Sequence, residues 1–281
     1  MTIDKTALRH LAGLLEQRTG QQIGPNRLWR VETVLKSLMR ERGIANLDAL
    51  VAAIGAAHDM TLATDVVEAL LNNETFFFRD AQAFELVRNG ALEALRQARA
   101  SSRRISIWCA GCSTGQEAYS LAMIFADARA KWDGWSIDIT ATDVSEAAIA
   151  KARAGYYSQF EIQRGLPVSS MLKWFDQVGH DWRVKRDLAR YLRFRRHNVL
   201  MAQTGSFDLI FCRNVLMYFT PQQMGRAVRR LHAAMADEGW LAVSPSEASQ
   251  SAFRQFPRSG RRMILCRLSG KPSHQCRQTI G

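Results

Sequence analysis

Residues 108–120 read WCAGCSTGQEAYS: two cysteines, two glycines, small residues and one carboxylate between an apolar run and a helical pattern. Three chemistries compete for this stretch. The CxxC of Cys109 and Cys112 makes a zinc site only where two more ligands follow at a matching spacing. None does, so no metal is expected and the thiols read as small buried or loop residues. A Walker loop requires Gly-Lys-Ser/Thr and a dinucleotide turn requires GxGxxG, and neither is present. What remains is a strand–turn–helix. Gly111 and Gly115 let its backbone bend and let a ligand approach with no Cβ in the way. Glu117 falls in the first helical turn, where a carboxylate repels a diphosphate and attracts an ammonium or sulfonium group. That favours a cationic small molecule such as S-adenosylmethionine. The next strand, SIDITATD, ends at Asp143. An acid at that place accepts ribose hydroxyls in many nucleotide-binding α/β folds, although it can also cap the following helix. Beside the glycine turn, the ligand reading is preferred.

Such residues need a scaffold, and the pattern from about residue 84 supplies one. Segments 84–100, 116–130, 145–155 and 221–239 read as helices. Ser145 is the expected N-cap of the third; Pro221 opens the last and Gly239 lies just past its end. RISIW (104–108), 136–143, FDLIFCRN (207–214) and WLAVSP (240–245) read as strands, and 253–268 as a β-hairpin around PRSG. Alternating units imply an α/β fold with a mostly parallel sheet covered on both faces; the hairpin would add an antiparallel edge. Residues 156–206, with helix-like MLKWF and strand-like YLRFRR, read as a small insertion, and 271–281 as a disordered tail.

Residues 1–71 read as a small helical bundle. Leu8, Leu11, Leu14 and Leu15 form one apolar stripe; Leu28, Val31, Val34, Leu35 and Leu38 form a second. The other face of the second helix carries Arg27, Arg30, Lys36, Arg40 and Arg42. Two shorter helices follow at 47–56 and 61–71. Residues 72–83, with NNETFFFRD, join the parts; three consecutive phenylalanines fit neither a clean strand nor a solvated linker, and by themselves read as an interdomain hydrophobic staple.

The totals are consistent with this. Five cysteines in 281 residues argue for reduced thiols rather than a disulfide framework. No apolar run reaches the roughly 18 residues a membrane helix needs, and MTIDKTALRH has no apolar signal region. A cytoplasmic protein is expected. The net charge of +12 favours an anionic partner without saying which.

Four motifs carry a resemblance: NETFFFR (73–79), AGCSTGQEAYS (110–120), ATDVS (141–145) and CRNVLMYF (212–219). Their order and spacing resemble the chemoreceptor glutamate methyltransferases of bacterial chemotaxis, the CheR family, over roughly residues 5 to 268. The resemblance implies a class I (Rossmann-like) S-adenosylmethionine-dependent methyltransferase with an N-terminal helical bundle (1–71), a linker that lids the cofactor (72–83) and a methyltransferase domain (84–270) holding a small inserted antiparallel β-subdomain within 156–206. It implies cofactor contacts from Asn73, Thr75 and Arg79 of the linker, Gly111 and Glu117 of the glycine turn, Asp143, the pair Asn198 and Val199 near the adenine, and the pair Asn214 and Val215. Arg79 and Tyr218 match the two residues that flank the transfer point. The product would be S-adenosyl-L-homocysteine.

The acceptor implied is a glutamate on the cytoplasmic helical bundle of a methyl-accepting chemoreceptor, met by a monomer without membrane insertion. A carboxylate is already nucleophilic at pH 7, which accounts for the lack of a Ser/His/Asp or paired-carboxylate constellation; none of the six histidines lies in a motif. Two rival readings stand beside this one. A nucleic-acid methyltransferase is permitted by the charge, but an exocyclic-amine enzyme usually shows Asn/Asp-Pro-Pro-aromatic where this chain has RNVLMYF. A non-catalytic cofactor-binding module is the other. The basic face of 27–42 is either a docking surface for an acidic bundle or a solvated helix face.

Overall fold

The computed structural model describes residues 5–24, 28–56, 60–254 and 262–265. The chain divides between Asn72 and Asn73 into a helical unit and a sheet unit, and Tyr218–Gln223 groups with the helical one.

The helical unit contains α1 (Lys5–Thr19), α2 (Leu28–Glu41), α3 (Leu47–Ala56) and α4 (Met60–Leu70). Leu8, Leu11 and Leu15 of α1 are buried with Val31 and Leu35 of α2, while Leu14, Val34 and Leu38 lie partly buried at the rim. Helices this short are marginal alone, so mutual burial of their stripes holds them. Residues 218–219 join this unit through backbone pairing: Gln22 N donates to the Tyr218 carbonyl at 2.7 Å and Gln21 bridges Phe219. The Tyr218 hydroxyl accepts from Asn72 Nδ2 at 2.7 Å. On the basic face of α2 Lys36 lies 4.0 Å from Glu32, and Arg42, just past the end of the helix, pairs with Asp65. Arg30 and Arg40 are exposed and have no ion pair among the described residues. Arg27 lies outside the described residues.

The sheet unit holds β1 (Arg104–Ala110), β2 (Ser136–Asp143), β3 (Tyr156–Ser158), β4 (Phe175–Val178), β5 (Asp181–Val184), β6 (Leu192–Arg196), β7 (Phe207–Phe211), β8 (Met235–Val243) and β9 (Arg262–Leu265). The main sheet runs β6-β2-β1-β7-β8-β9 with every pairing parallel. β3-β5-β4 form a separate antiparallel sheet. The helices are α5 (Ala81–Leu86), running through a π-turn into α6 (Leu92–Ala98), then α7 (Gln116–Asp127), α8 (Glu146–Ala154), α9 (Gln159–Gln163), α10 (Val168–Trp174), α11 (Arg186–Ala189), α12 (Pro221–Ala234), α13 (Pro245–Ala248) and α14 (Ser251–Arg254). Every residue of β7 is buried, as befits an apolar strand covered on both faces. From β1 the chain builds outward through β2 and β6, and from β7 outward through β8 and β9. The strand order therefore reverses between β1 and β7, and their carboxyl ends, Ala110 and Phe211, flank the crevice where such sheets bind ligands.

Three expectations need correction. The last strand is not the second arm of a hairpin, because β9 pairs parallel to β8 and Ser251–Arg254 is helical. Apolar alternation marks a strand but not its direction. PRSG and the tail at 271–281 lie outside the described residues. The helix from Pro221 ends at Ala234 rather than at Gly239, and 235–239 already belong to β8. The strand register shifts between Phe207 and Leu209, and a Cβ at Gly239 would lie 2.8 Å from the Ala236 carbonyl. The glycine thus serves a strand irregularity rather than a helix stop. Finally, YLRFRR leaves the small sheet and forms β6, the edge strand beside β2.

Candidate functional site

The glycine turn leaves β1 and folds over the end of β2. Gly111 N and Cys112 N donate to the Thr142 carbonyl at 2.7 and 2.9 Å. Gly111 sits at φ +76°, and a Cβ there would lie 2.2 Å from Val215 Cγ2. The glycine is therefore required both by its backbone and by the close approach of the segment after β7. Asp143 is buried and grips the turn: its Oδ2 accepts from Ser113 N at 2.8 Å and its Oδ1 from Ser145 N at 2.9 Å. The capping of α8 falls to Ser145, whose Oγ accepts from Ala148 N. An ionised carboxylate has about four acceptor sites, so Asp143 can hold the loop and still receive a ligand hydroxyl.

The linker meets the same turn. Ser113 Oγ donates to the Asn73 carbonyl at 2.8 Å. The three phenylalanines divide their work. Phe77 is fully buried, edge-on to Tyr157 and Phe175 at 5.1 and 5.5 Å. Phe78 is half-buried and its amide donates to Ser120 Oγ at 2.9 Å. Phe76 lies under the Arg164 guanidinium, 4.4 Å from the ring centroid, with Arg79 at 5.7 Å. Arg79 is half-buried and donates from Nη1 to the Glu74 carbonyl at 3.0 Å. Thr75 is half-buried in the same segment.

Glu117 is buried, but it is not the lone carboxylate its sequence position suggests. Arg213, whose side chain has no exposure at all, donates from Nη1 to Glu117 Oε1 at 2.8 Å and to the Arg79 carbonyl at 2.7 Å. Its Nη2 pairs with Asp80, and its plane stands over Phe211 at 5.4 Å. Burial pushes the Glu117 carboxyl up, Arg213 and Arg79 pull it back, Glu247 and Asp80 push again, and it settles at about 7.

The remaining expected residues lie beyond β6, beyond β7 and in the helical unit. His197 N donates to the Asp143 carbonyl at 2.8 Å, which sets Asn198 and Val199 just beyond β2 and β6. Asn198 Oδ1 accepts from Leu200 N, and Val199 is buried. Asn214, at φ +58°, and Val215 are held through their amides by Glu247, a fully buried carboxylate that also accepts from Leu216 N and Ser244 N. Asn214 Oδ1 and His197 Nε2 are buried polar atoms without a partner among the described residues. Tyr218, the other expected catalytic residue, belongs to the helical unit. Cys109, Cys112 and Cys212 are buried free thiols pushed up by burial, and no metal-holding cluster occurs among the described residues.

Arg213, Asp80, Ser113 and Glu247 were not expected. Arg213 lies inside CRNVLMYF and Asp80 directly after NETFFFR, so their motifs marked the places. Glu247 completes an S-x-x-E capping box with Ser244, which marks a helix start but not its grip on the segment after β7.

Comparison with known proteins gives one consistent result. The model of the CheR methyltransferase SAM-binding domain matches residues 73–263. Cher2, a chemotaxis protein methyltransferase of Pseudomonas putida, is 35% identical over 83% of this chain and 87% of its own length. A chemotaxis protein methyltransferase of Vibrio parahaemolyticus is 32% identical over 91% of this chain and 94% of its own.

Proposed function

The chain belongs to the CheR methyltransferase family, and from that premise we propose that it methylates glutamate side chains of chemoreceptors, converting S-adenosylmethionine to S-adenosylhomocysteine. Dependence on that cofactor comes with the family; the acceptor and the residue roles are the proposed part. The observation that carries the reading is the convergence of the glycine turn, Asp143 and the Asn214–Val215 segment at the switch point of the sheet, all within the matched region.

The residues present fit the cofactor. The Glu117–Arg213–Asp80 cluster has two carboxylates to one guanidinium, and Asn214 offers a buried unpaired oxygen. Both suit a ligand end with N–H donors and positive charge. Asp143 receives the ribose, Asn198 and Val199 the adenine side, and Asn73, Thr75 and Arg79 close over from the linker. The cofactor brings an electrophilic methyl on sulfonium sulfur. The protein need not remove a proton, because a glutamate acceptor ionises near pH 4.3. Its tasks are to align the acceptor and exclude water. Arg79 orients the acceptor carboxylate by a charge-assisted bond, and Tyr218 takes the second catalytic role that the family resemblance implies. Residues 1–71 form the receptor-facing head, 72–83 the lid and 84–270 the catalytic body of a cytoplasmic monomer. No helix among the described residues is long and apolar enough to cross a membrane. The nucleic-acid alternative is not favoured by the family match.

The test incubates purified protein with methyl-labelled S-adenosylmethionine and receptor-bearing membranes, then adds alkali. Label released as volatile methanol is expected for a carboxyl methyl ester. Label that stays on protein or appears on nucleic acid overturns the acceptor.

A further inference from the structure

Arg213 does more than neutralise Glu117. Its two terminal nitrogens serve two segments that are far apart in sequence. Nη1 is divided between Glu117 of α7 and the carbonyl of Arg79, and Nη2 is given to Asp80. Its Nε has no partner among the described residues and its side chain no exposure, so nothing in solvent replaces a lost contact. We propose that Arg213 is a positioning residue that couples the seating of the linker at Arg79–Asp80 to the ionisation of Glu117. The proposal rests on the assignment of that linker and of Glu117 to the cofactor site.

The physical argument follows from the charges. An ionised Glu117 holds the guanidinium by a charge-assisted bond and fixes Nη1 where it also meets the Arg79 carbonyl. A protonated Glu117 weakens that hold, and Arg213 is left to Asp80 and the Arg79 carbonyl. The coupling runs both ways, as any linkage must. The charged groups acting on Glu117 are Arg213, Arg79, Asp80 and Glu247. Arg213 favours ionisation, so its removal raises the protonation midpoint of Glu117. Asp80 opposes ionisation directly through space, so with Arg213 still held by Glu117 its neutralisation lowers that midpoint, while it frees the other guanidinium nitrogen from the linker.

The experiment follows Glu117 by carbon-13 NMR of side-chain carboxyls, identified by loss of its signal in Glu117→Gln, between pH 5 and 9. Wild type, Asp80→Asn, Arg213→Met and Arg213→Lys are compared in the full chain without cofactor. The expected result is a lower midpoint in Asp80→Asn, a higher one in Arg213→Met, and a return toward wild type in Arg213→Lys. Calorimetry with S-adenosylhomocysteine should then show about tenfold weaker binding in Asp80→Asn at pH 8, equivalent to about 1.4 kcal/mol. Midpoints that do not move, or that move in the same direction in both variants, overturn the coupling. So does an Asp80→Asn protein that binds as tightly as wild type. If Arg213→Met does not fold, Asp80→Asn alone decides by its midpoint and affinity. A wild type that binds no cofactor at all is the distinguishable failure: it removes the site assignment, while the titrations still judge the ion-pair geometry.

Discussion

At the scale of single residues, Glu117 should set a pH dependence. A carboxylate attracts the cationic end of the cofactor only when ionised, and this one is poised at about 7. Affinity should therefore be full above pH 8 and fall as pH drops through 7, approaching about tenfold per pH unit well below it. Glu117→Gln should bind weakly and with little pH dependence in isothermal titrations; a wild-type profile flat from pH 5.5 to 8.5 would remove Glu117 from the site. Arg79 and Tyr218 differ in kind. In the proposed reaction Arg79 supplies a charge for the acceptor, whereas Tyr218 is a hydroxyl already accepting from Asn72. Arg79→Ala should lower kcat/KM by about a hundredfold and Tyr218→Phe by about tenfold or less; equal losses count against this division. Glu117, Asp143 and Gly111 were legible because chemistry restricts their residue types at those places. Arg213 and Glu247 were not, since a buried ion pair or a carboxylate gripping four backbone amides depends on segments that only the folded chain brings together.

At the scale of elements, the site depends on two backbones passing closer than side chains allow. Gly111 faces Val215, and Gly165, at φ +90°, runs so near the linker that a Cβ would lie 1.9 Å from the Phe77 carbonyl. Gly111→Ala should cost about 2–4 kcal/mol, combining overpacking with left-handed strain, and should weaken cofactor binding as Val215 is displaced. Phe77→Ala should cost about 3–5 kcal/mol as the ring leaves its place between Tyr157 and Phe175. Thermal melts alongside cofactor titrations check both; a Phe77→Ala protein with unchanged melting temperature would show that the ring does not anchor the linker. The elements themselves were largely readable, since SIDITATD matches β2 residue for residue and Ser145 caps α8 as its type predicts. Strand direction and sheet membership were not. β9 is a short apolar run and β6 an alternating one, and only long-range pairing decides that the first runs parallel to β8 and the second joins β2.

At the scale of the whole molecule, the surplus of twelve positive charges has a place to act on α2. The basic face is not uniform, because Lys36 and Arg42 have internal acidic partners, so reversing them would disturb the bundle as well as the surface. Arg30 and Arg40 are exposed and free of such pairs among the described residues, and they isolate the question. An acidic receptor surface would be drawn to them through a field that salt screens over roughly 8 Å at physiological ionic strength. The double variant Arg30→Glu/Arg40→Glu should therefore methylate receptor about tenfold more slowly in kcat/KM at low salt. Its deficit should shrink toward nothing at about 0.5 M salt, where the wild type loses its own electrostatic advantage. Cofactor affinity and melting temperature should stay at wild-type values, because both residues are exposed. Equal methylation at low salt would make the face a solvated one. A deficit that persists at high salt would place these arginines in short-range contact with the receptor instead.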